Sequence, residues 1–227
     1  MLVGLLVIGI ISYIVYLRFS KALELQRVRL KLYENLHDDV GSRLTAIVLS
    51  AEDLERNENI QHPKLHAISQ IARSIVGNMR RLVWAIDPEN DSMNSLVQKI
   101  THDKSTILND SIHFIIEMDP GLKNIIVPGE VRYQVSSICN EAFTNIMKYA
   151  QASSVHISIT KEKGSLKLMI KDDGIGFAPA EKTKNALTGS GYGLANMQRR
   201  ASRVGGTFSL TSKPNEGTTI EAKFPLS

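Results

Sequence analysis

The chemistry in this chain is concentrated in a few side chains at fixed spacing. His37 is followed directly by Asp38 and Asp39 inside a run of helical apolar periodicity. A neutral imidazole is a nucleophile near pH 7, and an adjacent carboxylate can hydrogen-bond the far ring nitrogen, fix the tautomer and raise the basicity of the attacking one. Asp38 is the natural helper of His37, and Asp39 reads as solvated surface charge. Taken alone, a histidine among helical apolar positions is usually a partly exposed polar residue. Its weight here comes from a second constellation further along.

Glu141, Asn145 and Lys148 stand at i, i+4 and i+7 of a helical pattern. At ~100° per residue they fall within about 60° of one another, so one face carries an acid, an amide and a cation. Carboxylate and amide oxygens suit a hard, partly hydrated magnesium ion, and a lysine at the rim suits phosphate. An ordinary solvated helix face has the same composition. Two glycine clusters change the balance: Asp172-Asp173-Gly174-Ile175-Gly176-Phe177 after a strand pattern, and Gly189-Ser190-Gly191-Tyr192-Gly193-Leu194 before a helix. Glycine lets backbone approach a ligand closely, and N–H groups at a helix start can receive phosphate oxygens. The dinucleotide-fold alternative fails, because no strand leads into the second cluster and no parallel βαβ unit follows it.

The elements that must hold these residues follow from periodicity. From residue 18 to 56 there is no proline, and apolar residues recur every three or four positions, which predicts one long amphipathic helix. Residues 57–63 break it. A stricter seam through Leu65, Ile68, Ala72, Ile75, Met79, Leu82 and Ile86 predicts a second helix ended by Asp87-Pro88. Two antiparallel helices bury too little alone, so a homodimeric four-helix bundle is expected. Polar residues 88–95 read as the linker. Beyond it, a strand is predicted at 112–118, a helix at 130–150, a hairpin from 155–160 and 165–171, a helix at 193–204, and a closing hairpin from 207–211 and 218–224. Adjacent strands are expected to be antiparallel, in an α+β sandwich.

With 227 residues, 43% hydrophobic and 22% charged, two domains are expected. Residues 1–17 are almost wholly apolar and as a helix reach roughly 25 Å, which predicts a thin-spanning transmembrane segment; a hydrophobic dimerisation helix is the alternative. Arg18, Lys21, Arg27, Arg29 and Lys31 crowd its C-terminal side. That cluster reads as membrane-proximal, with no nucleic-acid partner expected, and puts the following chain in the cytoplasm. The apolar run starts at Met1, as expected of the C-terminal part of a longer receptor. The single cysteine, Cys139, excludes an intramolecular disulfide framework and fits a reducing compartment.

In order, these motifs resemble the ATP-binding domain of sensor histidine kinases, of the GHKL (Bergerat) superfamily shared with DNA gyrase and MutL. Residues 141–150 are similar to the family's asparagine box, 172–177 to its first glycine box, 189–194 to its second, and Gly217-Thr218-Thr219 to its terminal Gly-Thr element. The resemblance covers residues 94–227. It implies that Asp172 accepts the adenine amino group with Thr218 nearby through water, that Asn145 ligates magnesium, and that Lys148 neutralises phosphate charge. Glu141 would activate or support the attacking group. Tyr149, Gly174, Gly176, Gly189, Gly191, Gly193 and Leu194 would complete the nucleotide site, and residues 178–190, with Lys182 and Lys184, would form its lid.

Residues 34–88 resemble the dimerisation and phosphotransfer domain of the subfamily whose box reads His-Asp-x-x-x-Gln-x-Leu, the kinases related to nitrate and membrane-fluidity sensors. His37, Asp38, Gly41 and Leu44 fit it, and Trp84-Ala85-Ile86-Asp87-Pro88 looks like the end of its second helix. Ser42 stands where the family has the glutamine that positions water for dephosphorylation. Together the resemblances imply a single-pass inner-membrane homodimer with a cytoplasmic catalytic part: residues 1–17 span, 18–33 form a signalling helix, 34–88 carry the phosphoacceptor, and 94–227 bind ATP and magnesium. The γ-phosphoryl would pass to His37 and on to an aspartate of a response-regulator receiver domain. The rival expectations are a GHKL-type ATPase switch without phosphohistidine, and a non-catalytic membrane adaptor.

Overall fold

A computed structural model describes residues 12–13, 15–17, 20, 41–57, 63–178 and 191–226. His37, Asp38, most of residues 1–33 and residues 179–190 of the expected lid lie outside them. Among the described residues no helix is long and apolar enough to cross a membrane. The chain divides into two compact units, Met1–Pro88 and Glu89–Ser227.

The first unit contains a helical hairpin of α1 (Gly41–Asn57) and α2 (Pro63–Ile86). Pro63 opens α2, at a position whose N–H has no helical partner anyway. Ser69, Ala72, Val76, Val83 and Ala85 are buried along α2. Arg73 ties the pair together, bonding Ser69 Oγ at 3.0 Å and Glu52 at 2.8 Å. A second apolar side stays open: Ile47, Leu49, Leu54, Ile68, Ile71, Ile75 and Leu82 are all exposed.

The segment expected to be a linker is folded onto the second unit. Asp91 O accepts the Val127 amide at 2.8 Å, and Ser92 caps the next helix by accepting from Ser95 N at 3.1 Å. Its polar residues pair and cap, so polarity there signalled a helix start. That helix, α3 (Met93–Ile107), is absent from the sequence reading; only Met93, Leu96 and Ile100 form its fully buried stripe.

The rest is a five-stranded sheet with helices against one face. In chain order come β1 (His113–Met118), α4 (Gly129–Asn145) continuing into a π-helical turn (Ile146–Ala150), β2 (Ser154–Glu162), β3 (Ser165–Asp172), α5 (Gly191–Arg203), β4 (Thr207–Ser212) and β5 (Thr218–Pro225). The strand order is β1-β2-β3-β5-β4. β1 and β2 pair in parallel, contrary to the expectation of antiparallel neighbours. The reason is the connection: the chain crosses through α4 between them, and a parallel pair requires a crossover of that length. The other pairs are antiparallel.

Alternation along the strands sorts the faces. Val155, Ile157, Ile159, Leu166, Leu168 and Phe224 are fully buried. The opposite face carries Lys167 between Glu162 and Glu221 at 3.4 and 3.2 Å. From the helices, Val135, Ile138 and Phe143 of α4 and Met197 of α5 are fully buried in this core, and Phe143 stands edge-on to Phe114 with ring centres 6.0 Å apart. Cys139 is buried too; desolvation first, and the Asp103 charge second, push its thiol pKa up, so it stays protonated.

Candidate functional site

The end of α4, its π-helical turn and the ends of β3, β4 and β5 enclose a cavity of about 240 Å³. Its walls are mainly aliphatic, with Ile146, Ile170, Leu194, Leu210 and Ile220 among them, and its polar lining comes from Asn145, Tyr149, Asp172 and Thr218. Few polar groups in an apolar cleft are the usual makeup of a small-molecule site.

Asp172 closes β3 and is only 5% exposed. Its Oδ1 accepts the Gly174 amide at 3.0 Å. Burial holds its carboxyl above the usual carboxylate range, opposed by the Gly174 and Thr218 amides and reinforced by the Asp173 charge. Asp173, its neighbour, points the other way. It accepts from Ser153 N and Ser154 N, both at 2.8 Å, and from Ser153 Oγ, and these bonds keep its pKa low. It thus fixes the start of β2. Its folded pKa is depressed, so its stabilisation is full above the ordinary aspartate range and is lost as pH falls through the folded value. Asp173→Ala is therefore expected to lower the melting temperature at pH 7, by the equivalent of about 1 kcal/mol. The deficit should narrow in melts taken below the ordinary aspartate range near 4, and close only once the pH is below the depressed folded value.

The glycine clusters act by the space they leave. A Cβ on Gly174 would sit 2.3 Å from Ala150 O, so the loop after β3 can lie against the end of the π turn only with glycine there. Ile175 N donates to that same carbonyl at 2.8 Å. A Cβ on Gly193 would meet Glu141 Oε1 at 2.3 Å and Asn145 Nδ2 at 3.8 Å. That places the start of α5 against the acid and the amide of α4, joining two motifs 48 residues apart in the chain (Glu141 to Gly189). A carboxylate oxygen, of the kind magnesium accepts, stands there beside the Asn145 amide.

Among the expected site residues, Asn145, Tyr149, Asp172, Gly176, Leu194 and Thr218 line the cavity. Gly174 and Glu141 adjoin it through the contacts just given. Lys148 is exposed and is not in the lining. The π turn begins right after Asn145, so the count of 100° per residue stops there, and Tyr149 follows Asn145 into the wall. Such turns inside α-helices concentrate at functional sites. Gly191 starts α5, whereas Gly189 lies outside the described residues. Among the described residues no three His, Cys, Asp or Glu side chains cluster as a metal site. Sequence reasoning missed the aliphatic walls other than Leu194, and it missed Ser212. The only signal for Ser212 was its place at the end of a hairpin strand facing Thr218.

Residues 130–227 match the family of histidine kinase-, DNA gyrase B- and HSP90-like ATPases, and residues 29–91 match the histidine kinase family. The chain carries both of these histidine kinase domains. Similar to this chain are sensor histidine kinase LnrJ of Bacillus subtilis, 27% identical over 87% of this chain and 48% of the relative, and the histidine-protein kinase/phosphatase UhpB of Salmonella typhimurium, 28% identical over 88% and 39%. The chain spans about half the length of the curated relatives it matches. A solved blue-light activated histidine kinase of Erythrobacter litoralis shares the fold, with a TM-score of 0.60 at 16% identity over 90% of this chain and 60% of that chain.

Proposed function

We propose that this chain is the transmitter part of a membrane-tethered, homodimeric sensor kinase, which transfers the γ-phosphoryl of ATP to His37 and then to an aspartate of a response-regulator receiver domain. The observation that carries the nucleotide half is Asp172: a nearly buried carboxylate in a mainly aliphatic cavity of about 240 Å³, beside Thr218. A buried acceptor recognises a ligand that brings hydrogens to it, and the exocyclic amine of adenine does so. The aliphatic walls take the flat faces of the base.

Asn145, with Glu141 nearby, would hold magnesium, which supplies charge neutralisation on the phosphates. Phosphoryl transfer demands mostly positioning and charge stabilisation from the protein. Here Asp38 would accept the hydrogen on the far nitrogen of His37, leaving the other lone pair free to attack. Lys148 and the glycines of the second cluster would contact phosphate. The exposed apolar side of the α1–α2 hairpin supports dimerisation into a four-helix bundle, and the apolar run at 1–17 followed by basic residues supports a single inner-membrane span with the catalytic part in the cytoplasm. An ATPase switch without phosphohistidine has no use for the histidine kinase match over 29–91. The deciding experiment is incubation with radiolabelled ATP: the label should be acid-labile and base-stable, and a chain that hydrolyses ATP without retaining label sinks the proposal.

Ser42 carries a further expectation. A serine hydroxyl reaches about two bonds less far than a glutamine amide, so it should not hold water in line with a phosphoryl group on a docked receiver domain. That orientation effect is worth several kcal/mol, roughly a hundredfold or more in rate. The kinase is expected to dephosphorylate its regulator poorly, and Ser42→Gln to speed decay of the purified phospho-regulator in the presence of ADP and magnesium. Fast decay with the parent, unchanged in Ser42→Ala, would show that Ser42 is irrelevant.

A further inference from the structure

Ser212 ends β4 in register with Thr218 and is 7% exposed. Three groups share its hydroxyl. The Phe177 amide donates to it at 2.9 Å, the Gly217 carbonyl accepts from it at 2.9 Å, and the Thr218 hydroxyl lies 3.0 Å away. A serine owns one hydrogen. The Gly217 carbonyl can only accept, and its glycine is buried, so giving the hydrogen to Thr218 would strip a buried acceptor of this partner. Thr218 stands at the cavity, where water or a ligand can serve it instead. The least costly arrangement therefore spends the serine hydrogen on Gly217 and has Thr218 donate to Ser212. Thr218 then has no hydrogen left for the cavity and offers it only lone pairs.

We propose that Ser212 is a positioning residue that sets base selectivity: by taking the Thr218 hydrogen, it makes Thr218 and Asp172 a pair of acceptors facing the cavity. This inference rests on the cavity being the adenine site. Two acceptors, acting directly or through one water, admit a base edge that carries an amino group. They repel a base with a carbonyl oxygen at the same position. Adenine and hypoxanthine differ in this way at the six position, so ATP and ITP are the discriminating probes. In Ser212→Ala the Thr218 hydroxyl is released and can donate to a carbonyl.

The test measures ATP and ITP binding to the full chain by calorimetry. The parent should prefer ATP, and Ser212→Ala should shrink the ATP:ITP affinity ratio about tenfold, the effect of one misdirected hydrogen bond. Thr218→Ala should shrink it as well, and adding Ser212→Ala to Thr218→Ala should leave it where it is, because no hydroxyl remains to redirect. A purely structural serine would weaken both nucleotides equally, and an unchanged ratio in Ser212→Ala overturns the proposal. If Ser212→Ala does not fold, an unchanged ratio in Thr218→Ala overturns it alone. Failure of the underlying adenine-site reading looks different, because Asp172→Asn would then leave ATP binding intact.

Discussion

His37→Gln is expected to bind ATP as the parent does and to retain no label at all, against stoichiometric labelling of the parent. The effect is all-or-none because the nucleophile itself is removed, and glutamine offers no lone pair of comparable basicity near neutral pH. Binding should survive because every residue lining the cavity belongs to the unit Glu89–Ser227, whereas His37 belongs to Met1–Pro88. Asp38→Asn is the graded companion. It keeps a hydrogen-bonding group beside the imidazole but removes its charge, so the rate of labelling should fall by the roughly 10²–10⁴-fold typical of a lost acid–base partner, with ATP affinity unchanged. Equal labelling of His37→Gln and the parent would move the phosphoacceptor elsewhere in the chain.

Asp172→Asn should weaken ATP binding by about 1–3 kcal/mol, roughly five- to 150-fold, while the fold becomes no less stable. Both halves come from the same burial. The carboxyl pKa is raised above its unfolded value, chiefly by desolvation. A group with that shift favours the folded state below its unfolded pKa, and this contribution is lost as pH rises through the folded pKa. At pH 7 the buried carboxylate therefore burdens the fold, and a neutral amide, whose oxygen can still accept the Gly174 amide, relieves it. Binding moves the other way, because the amide of the variant would turn a donor or a weaker acceptor toward the base. Parental ATP affinity should likewise fall on acidification, through a pH above the usual carboxylate range. Paired melts and titrations decide the matter: a variant that melts earlier yet binds ATP normally would make Asp172 a structural residue.

The site was legible in sequence where residue type alone dictates what backbone can do. Gly174 had to be glycine because the Ala150 backbone carbonyl lies where a Cβ would be, and that need shows as a motif wherever it occurs. Helix and strand periods were legible for the same local reason. The hairpins 154–172 and 207–225 followed from two short alternating runs around a turn. Three things were decided only by tertiary structure. The parallel pairing of β1 with β2 depends on which strand edge a crossover chain reaches, and no residue of β1 records its neighbour. Helix α3 has a narrow buried stripe among polar residues, so its burial exists only because α4 and the loop carrying Ile125 and Val127 cover it. Ser212 has no motif of its own. Its role appears when strand register sets it beside Thr218 and loop closure brings Phe177 and Gly217 to the same hydroxyl, a convergence of segments that are distant in sequence and are brought together only by the fold.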